Sequence, residues 1–332
     1  MFLNLVLIFS VLNFLLFFYY KKISRIVKIY DVPDSDRKIH KGVVPVLGGT
    51  FLLINLILVI ILYFYNFHYN EIFFNDNKII FFFITILGFY LLGVLDDGFK
   101  VSANYKLIIS ICLLLFVFYF DNTIAIKSLR FSFLENEINI GKYSFFVSVL
   151  CYLLFINAFN MIDGINGQAA FYALFIFSIL FFQGILTNFC LIIIIFLIFY
   201  LYFNLKGKIF FGDGGSLPLA FLLSYIMVKD YNLNQTFYAD EIFLIMCIPG
   251  YDLLRLFVSR IIKKRHPFSA DSSHIHHILM NKLNSFNTMI IVQVLFVLPY
   301  ASYLVFNVFY FSLFLSIALY VIAIYGFNRV KS

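Results

Sequence analysis

Charge is scarce in this chain. Only 12% of its 332 residues are Asp, Glu, Lys or Arg, where a soluble domain carries about a quarter. With 63% hydrophobic residues, no soluble fold could hide the apolar surface. An outer-membrane barrel is excluded because the apolar residues come in long runs, not in short alternating segments. Tryptophan is absent, so any interfacial aromatic belt must be built from Tyr and Phe. The cysteines Cys112, Cys151, Cys190 and Cys247 each lie in or beside an apolar run, without metal-ligand spacing. They are expected to be free packing residues and not disulfides. Gly/Ser linkers and internal repeats are missing, which leaves a single domain over residues 1–332. The first apolar run, Met1–Tyr20, has neither a charged leader nor a small-residue cleavage site. It reads as a first span and not as a signal peptide.

What remains is a series of apolar runs near the length of a bilayer crossing, about 20 residues. The expected fold is an all-α polytopic membrane protein with about eleven transmembrane helices, near 3–20, 47–65, 78–95, 104–120, 143–160, 169–186, 188–204, 215–229, 241–258, 288–306 and 308–327. The connecting segments sort by charge. One set holds Lys21, Lys22, Arg25, Lys28, Arg37, Lys38, Lys41, Lys100, Lys206, Lys208, Arg260, Lys263, Lys264, Arg265, Lys282, Arg329 and Lys331. The other holds only Lys78, Lys127, Arg130, Lys142 and Lys229. The positive-inside rule assigns the first set to the cytoplasm, with the N-terminus outside and the C-terminus inside. The net charge of +7 is then mainly a topology signal, with attraction to anionic lipid second. It does not point to nucleic acid. One outer segment, Thr123–Phe133 followed by Leu134–Gly141, alternates with period two and predicts a short outer β-hairpin.

Four acidic stretches cap the apolar runs, all on the cytoplasmic side. Asp96 and Asp97 end one run in L-D-D-G-F-K. Adjacent acids at a helix C-terminus oppose the macrodipole and need a cation, a proton or nearby Lys100 and Lys106. They read as a general base or metal-shell carboxylates. Asn157, Asn160 and Asp163 fall at i, i+3, i+6 on one helical stripe, offering oxygen ligands to a hard cation or an interhelical polar clamp. Asp213 sits in F-F-G-D-G-G-S, where glycine lets backbone N–H groups form an anion nest and the following helix N-terminus favours phosphate. It is not a Walker loop, since G-K-[ST] is missing. His274, His276 and His277 in S-S-H-I-H-H are too compact for a helical zinc site. They suit phosphate or nucleotide binding, with one histidine able to move a proton. Asp252 and Arg255 read as a structural pair. Lys41, with Arg37, Lys38 and His40, lies in a loop kept extended by Pro33 and Pro45.

In these stretches the chain resembles the bacterial polyprenyl-phosphate N-acetylhexosamine-1-phosphate transferases, relatives of the phospho-muramoyl-pentapeptide transferase. The resemblance runs from about Asp31 to Met280: R-K-I-H-K-G-V-V-P-V-L-G-G, L-G-V-L-D-D with Lys106 downstream, N-A-F-N-M-I-D-G-I-N-G, F-F-G-D-G-G-S, and P-F-S-A-D-S-S-H-I-H-H. Such enzymes start O-antigen, enterobacterial common antigen and teichoic-acid linkage units. The resemblance implies transfer of a sugar-1-phosphate from a UDP-sugar to undecaprenyl phosphate, with release of UMP. It implies Mg²⁺ or Mn²⁺, held by Asp213 with Asn160 or Asp163, and Asp96 or Asp97 acting on the lipid phosphate. Substrate contacts fall to Lys41, Lys106, Asn157, Asn166, Phe210, His274 and His277, with Asp163 and His276 grouped with the catalytic acids. Phe210 would stack on the uracil. The expected setting is the bacterial inner membrane with the site facing the cytoplasm, and a homodimer stays open. Many family members carry Asp at the position of Asn166 and a basic residue at that of Ser272. The competing reading is an ion-coupled transporter. A carrier places its acids near the bilayer midplane on broken helices, whereas these lie at span ends.

Overall fold

The computed structural model describes residues 2–33, 42–65, 76–264 and 273–328. The chain begins with α1 (Phe2–Phe18) and α2 (Tyr20–Val27), bent 69° from each other. Two short strands follow, β1 (Tyr30–Asp31) and β2 (Val44–Pro45), then α3 (Gly48–Phe64), α4 (Asp76–Phe99) and α5 (Ala103–Phe120). Strands β3 (Ser128–Leu129) and β4 (Ile138–Asn139) precede α6 (Ser144–Ile162), α7 (Gln168–Phe182), α8 (Thr187–Leu205), α9 (Asp213–Leu233) and α10 (Ala239–Ile262). A one-turn-and-a-half helix, α11 (Ile275–Met280), leads into α12 (Ser285–Phe306) and α13 (Phe309–Asn328).

This is a mostly helical, multi-pass membrane protein. Among the described residues seven helices are long and apolar enough to cross a bilayer, or eight if the bent α1–α2 pair counts as one span. Helices α3 and α7 are apolar but shorter. The eleven expected spans fall on α1, α3 to α10, α12 and α13, but the count of crossings supported by length and composition is the smaller one. Helix α9 is more polar than these spans for a physical reason. From Gly214 to Met227 every residue is buried, packed among α3, α4, α6 and α7. A helix wrapped by protein need not be apolar to face lipid.

Small residues let the central helices meet, as they must where lipid tails leave no hydrophobic drive for association. A Cβ on Gly93 of α4 would overlap the backbone of Asp213, and one on Gly49 of α3 would overlap the carbonyl of Gly214. The N-terminus of α9 is therefore seated directly on two neighbouring helix backbones. Amides clamp α1 to α3: Asn13 and Asn55 exchange hydrogen bonds of 2.9 and 3.1 Å in a fully buried pair.

At the far end of α9, Lys229 was expected to be a loop charge and is instead fully buried. Its ammonium lies 2.8 Å from Asp121, which also meets Lys78 at 3.1 Å and accepts from Tyr225 at 2.7 Å. Burial alone would raise the Asp121 carboxyl, but Lys229 and the hydrogen bonds from Thr123 and Tyr225 hold it far below the usual carboxylate range. Strands β3 and β4 pair antiparallel, Ser128 opposite Asn139. They are shorter than the alternating pattern predicts, and Arg130 pins them by donating to the carbonyl of Phe237 at 3.2 Å. All four cysteines are free: Cys190 and Cys247 are buried, while Cys112 and Cys151 lie on the outside of the bundle.

Candidate active site

A cavity of about 430 Å³ opens where the ends of α4, α6 and α8 meet the start of α9. Its lining includes Asp97, Asn160, Asp163, Asn166, Phe210 and Asp213. Three sequence-distant stretches thus converge on one space.

Two strand-like contacts build the cavity wall. Strands β1 and β2 pair antiparallel, and Val46 then bridges to Phe210. The N–H of Phe210 donates to the Pro45 carbonyl, and the N–H of Gly48 to the Phe210 carbonyl, each at 3.0 Å. The segment after Pro45 therefore fixes the backbone of the F-F-G-D stretch, a relation with no sequence signal because the partners are remote. Phe211 turns inward onto Tyr200, ring centroids 3.8 Å apart, leaving half-buried Phe210 on the cavity side.

The adjacent acids of α4 have different partners. Asp97 accepts the backbone N–H of Asp213 at 2.9 Å and of Gly214 at 3.0 Å. It caps the positive end of α9, which offsets its unfavourable place at the C-terminus of α4. The N–H groups of Gly215 and Ser216 turn back onto the Gly212 carbonyl. The anion nest expected for phosphate is thus filled by the protein's own carboxylate. Gly212 adopts φ 63°, and a Cβ there would strike the Asp97 carboxylate. Asp96 instead meets the Lys106 ammonium at 2.8 Å, and that ammonium lies 2.6 Å from Asp213.

Asn160 donates to Asp213 at 3.3 Å and accepts from Ser216 at 2.7 Å. Asp163 ends α6 and lines the cavity without a side-chain hydrogen bond or ion pair to a described residue. Burial, with the charges of Asp213 and Asp97, pushes its carboxyl well above the ordinary carboxylate range. An acid in that position calls for a counter-charge. Three or more His, Cys, Asp or Glu do not gather in ligating geometry among the described residues. Mg²⁺, however, takes one or two carboxylates and completes its shell with water and substrate phosphate. Asp213, Asp163 and the amide of Asn160 fit that chemistry.

The stripe expected along α6 is only partly used. Asn157 folds its amide back onto the Leu153 carbonyl at 2.7 Å and does not line the cavity. Asn204, which the motif reading passes over, is buried. It accepts from the Gly167 N–H at 2.6 Å and donates to the Ile209 carbonyl at 2.9 Å, tying the Asn166–Gly167 turn to the F-F-G-D approach. Its only signal in the sequence is a lone amide ending an apolar run.

The histidines stand behind the cavity wall. His276 is buried against the backbone of Gly164, where a Cβ would overlap its ring. Burial, then His277 and His274, push the His276 imidazole down to about 3, so it is neutral at working pH and poorly suited to donating a proton. His274 and His276 stack in parallel, 5.6 Å apart. Lys41 lies outside the described residues, as do Arg37, Lys38, His40, Asp271 and Ser272.

Residues 79–230 match the family model described as glycosyl transferase family 4, a span that holds Asp97, Asp163 and Asp213. The chain is also similar to the undecaprenyl-phosphate alpha-N-acetylglucosaminyl 1-phosphate transferase of Escherichia coli O157:H7, 27% identical over 279 residues, 80% of this chain and 73% of that one. Its central part thus resembles glycosyl transferase family 4. The chain is similar as well to the enzyme of the same name from Thermotoga maritima, 28% identical, covering 85% of this chain and 83% of that one. A probable undecaprenyl-phosphate N-acetylglucosaminyl 1-phosphate transferase of Bacillus subtilis is 26% identical over 270 residues, 78% of this chain and 72% of its own. The match and these relatives support a transferase, and Asp97, Asp163, Asp213 and Lys106 are the groups available for phosphate chemistry.

Proposed function

We propose that this transferase moves a sugar-1-phosphate, an N-acetylhexosamine-1-phosphate by its likeness to these relatives, from a UDP-sugar to undecaprenyl phosphate. UMP leaves, and the polyprenyl-diphosphate sugar formed starts a cell-surface glycan. The observation that carries the reading is Lys106, one ammonium shared by Asp96 and Asp213 beside a cavity that also holds Asp163, which has no partner among the described residues.

In the proposed reaction an oxygen of the lipid phosphate attacks the β-phosphorus of the donor. A new P–O–P bridge forms, and the bridge to the α-phosphate breaks with its electron pair leaving on UMP. One anhydride replaces another, so the barrier comes mainly from bringing two anions together. Lys106 offsets that repulsion. Asp96, the acid not committed to capping α9, is placed to orient the lipid phosphate or take its proton. Phe210 offers an aromatic face to the uracil. Asp213, Asp163 and Asn160 would hold Mg²⁺ or Mn²⁺, which when bound supplies further charge neutralisation at phosphate oxygens.

The acceptor is a lipid, and the fold offers room for its chain. An apolar groove of about 300 Å³ runs between α6, α9 and α10, lined by Phe155, Ala158, Met246 and Leu254. It follows α6, whose last turn carries Asn160. The charge distribution supports a plasma-membrane setting with the cavity facing the cytoplasm, where sugar nucleotides are made.

The test is incubation of purified protein with undecaprenyl phosphate, Mg²⁺ and a panel of UDP-sugars, reading UMP release and the lipid mass. A lipid diphosphate sugar from one donor is the expected outcome. Folded protein that forms no such product with any N-acetylhexosamine donor would overturn the reading.

A further inference from the structure

Behind the histidines lies a cluster that the reaction above does not use and that falls outside residues 79–230. Asp252, on α10, is almost fully buried and takes four hydrogen bonds. One carboxylate oxygen accepts from Arg255 at 2.7 Å and from the Tyr320 hydroxyl at 2.9 Å. The other faces Nδ1 of His274 at 3.1 Å and accepts from the N–H of Ile275 at 3.3 Å. Arg255 also donates to Tyr320 at 2.7 Å and to the Ser273 carbonyl at 2.6 Å. Three elements, α10, α13 and the start of α11, are thus joined at one carboxylate.

We infer that Asp252 is a positioning residue for the transfer, acting through His274. The inference rests on the proposed donor reading, together with the substrate contact that the resemblance implies for His274.

An ionised carboxylate only accepts, so the His274 nitrogen that meets it must carry hydrogen. This fixes the tautomer and leaves Nε2 as an acceptor for a hydroxyl or N–H of the donor substrate. Nε2 makes no hydrogen bond to a described residue. Arg255 and Tyr320 hold the carboxylate from its other side, so that it cannot swing away with the imidazole. The stack of His274 on His276, which rests on Gly164 beside Asp163, links this arrangement to the cavity wall. A carboxylate that merely neutralised Arg255 would not need to meet a ring nitrogen and the N–H that follows it.

The test is a double-mutant cycle on the full-length protein in detergent or nanodiscs. Asp252→Asn presents an N–H donor to Nδ1 and so reverses the tautomer. It is expected to lower kcat/KM for the UDP-sugar by about 10- to 100-fold, as removal of a histidine's orienting carboxylate does elsewhere. In a His274→Ala background the same change is expected to move kcat/KM by less than about twofold, since coupled residues do not add. Tyr320→Phe, which removes one of the four bonds and keeps the buried charge, should show a smaller loss that also vanishes with His274→Ala. It keeps the cycle readable should Asp252→Asn fail to fold. Losses that simply multiply across the cycle would show a scaffolding role and overturn the inference, while wild-type turnover stayed intact. A wild type that neither turns over nor binds UDP-sugars in calorimetry would overturn the donor reading itself, and this role with it.

Discussion

The carboxylate of Asp97 caps the first turn of α9 through the N–H of Asp213, at 2.9 Å. Neighbours in the sequence, Asp96 and Asp97 therefore differ in kind: one holds a helix start and the other faces Lys106. Asp213→Asn is expected to abolish turnover with expression intact. Asp97→Asn should do nearly the same, by leaving an N–H of its own against a backbone N–H, a loss of about 1–3 kcal/mol for an unmet buried donor. UMP release and detergent-extracted yield measure both. Near-wild-type activity in the two variants would sink the assignment of this site.

Lys106 bridges Asp96 and Asp213. Lys106→Met leaves both carboxylates facing each other without that ammonium. Turnover is expected to fall by two orders of magnitude or more, given about 3 kcal/mol for one preorganised charge-stabilising group. Initial rates at saturating donor test this. An unchanged rate would remove Lys106 from the chemistry.

Gly93 of α4 packs on the backbone of Asp213. Gly93→Ala is expected to destabilise the protein by about 1–3 kcal/mol, the range for overpacking, and to reduce activity by displacing Asp213. The same change at Gly98, which has nothing within 4 Å, serves as the control and should leave the thermal midpoint near wild type.

The buried Asp121–Lys229 pair gives a prediction in the acid range. The folded carboxyl lies below its unfolded value of about 3.9, so its contribution is fully present above that pH and is lost as pH falls below it. Asp121→Asn should cost about 3–5 kcal/mol at neutral pH, because Lys229 is left buried without its counter-charge. Melting curves at pH 7 and pH 3.5 test both points: the gap between variant and wild type should narrow at the lower pH.

His276 acts in a higher window. Its folded value, pushed down to about 3, lies below the unfolded value of about 6.5. The neutral ring therefore stabilises the fold above pH 6.5, and that contribution declines as pH falls from 6.5 toward 3. Between pH 6.5 and 4.5 the wild-type thermal midpoint should drop more steeply than that of His276→Asn. Parallel slopes would show that the ring is solvated.

Much of the architecture was legible in the chain because a bilayer imposes length and apolarity on each helix. The positions of the long helices, the grouping of basic residues and the five ordered motifs are all local properties of the sequence. So was the pairing of Asp252 with Arg255, one helical turn apart. Other features depend on residues that meet only after folding. The sequence could state that the acids of α4 needed an answering charge, but not that a helix start would answer Asp97 and a lysine Asp96. It marked the α6 stripe, but not that Asn157 would bond its own helix while Asp163 lined the cavity. Periodicity reports which face a residue shares with its neighbours in sequence. Hydrogen bonds between Asp97 and Gly214, Asn204 and Gly167, or Asp252 and His274 depend on helix placement, which the close glycine contacts of Gly49, Gly93 and Gly164 allow. The tertiary structure alone decided those partners.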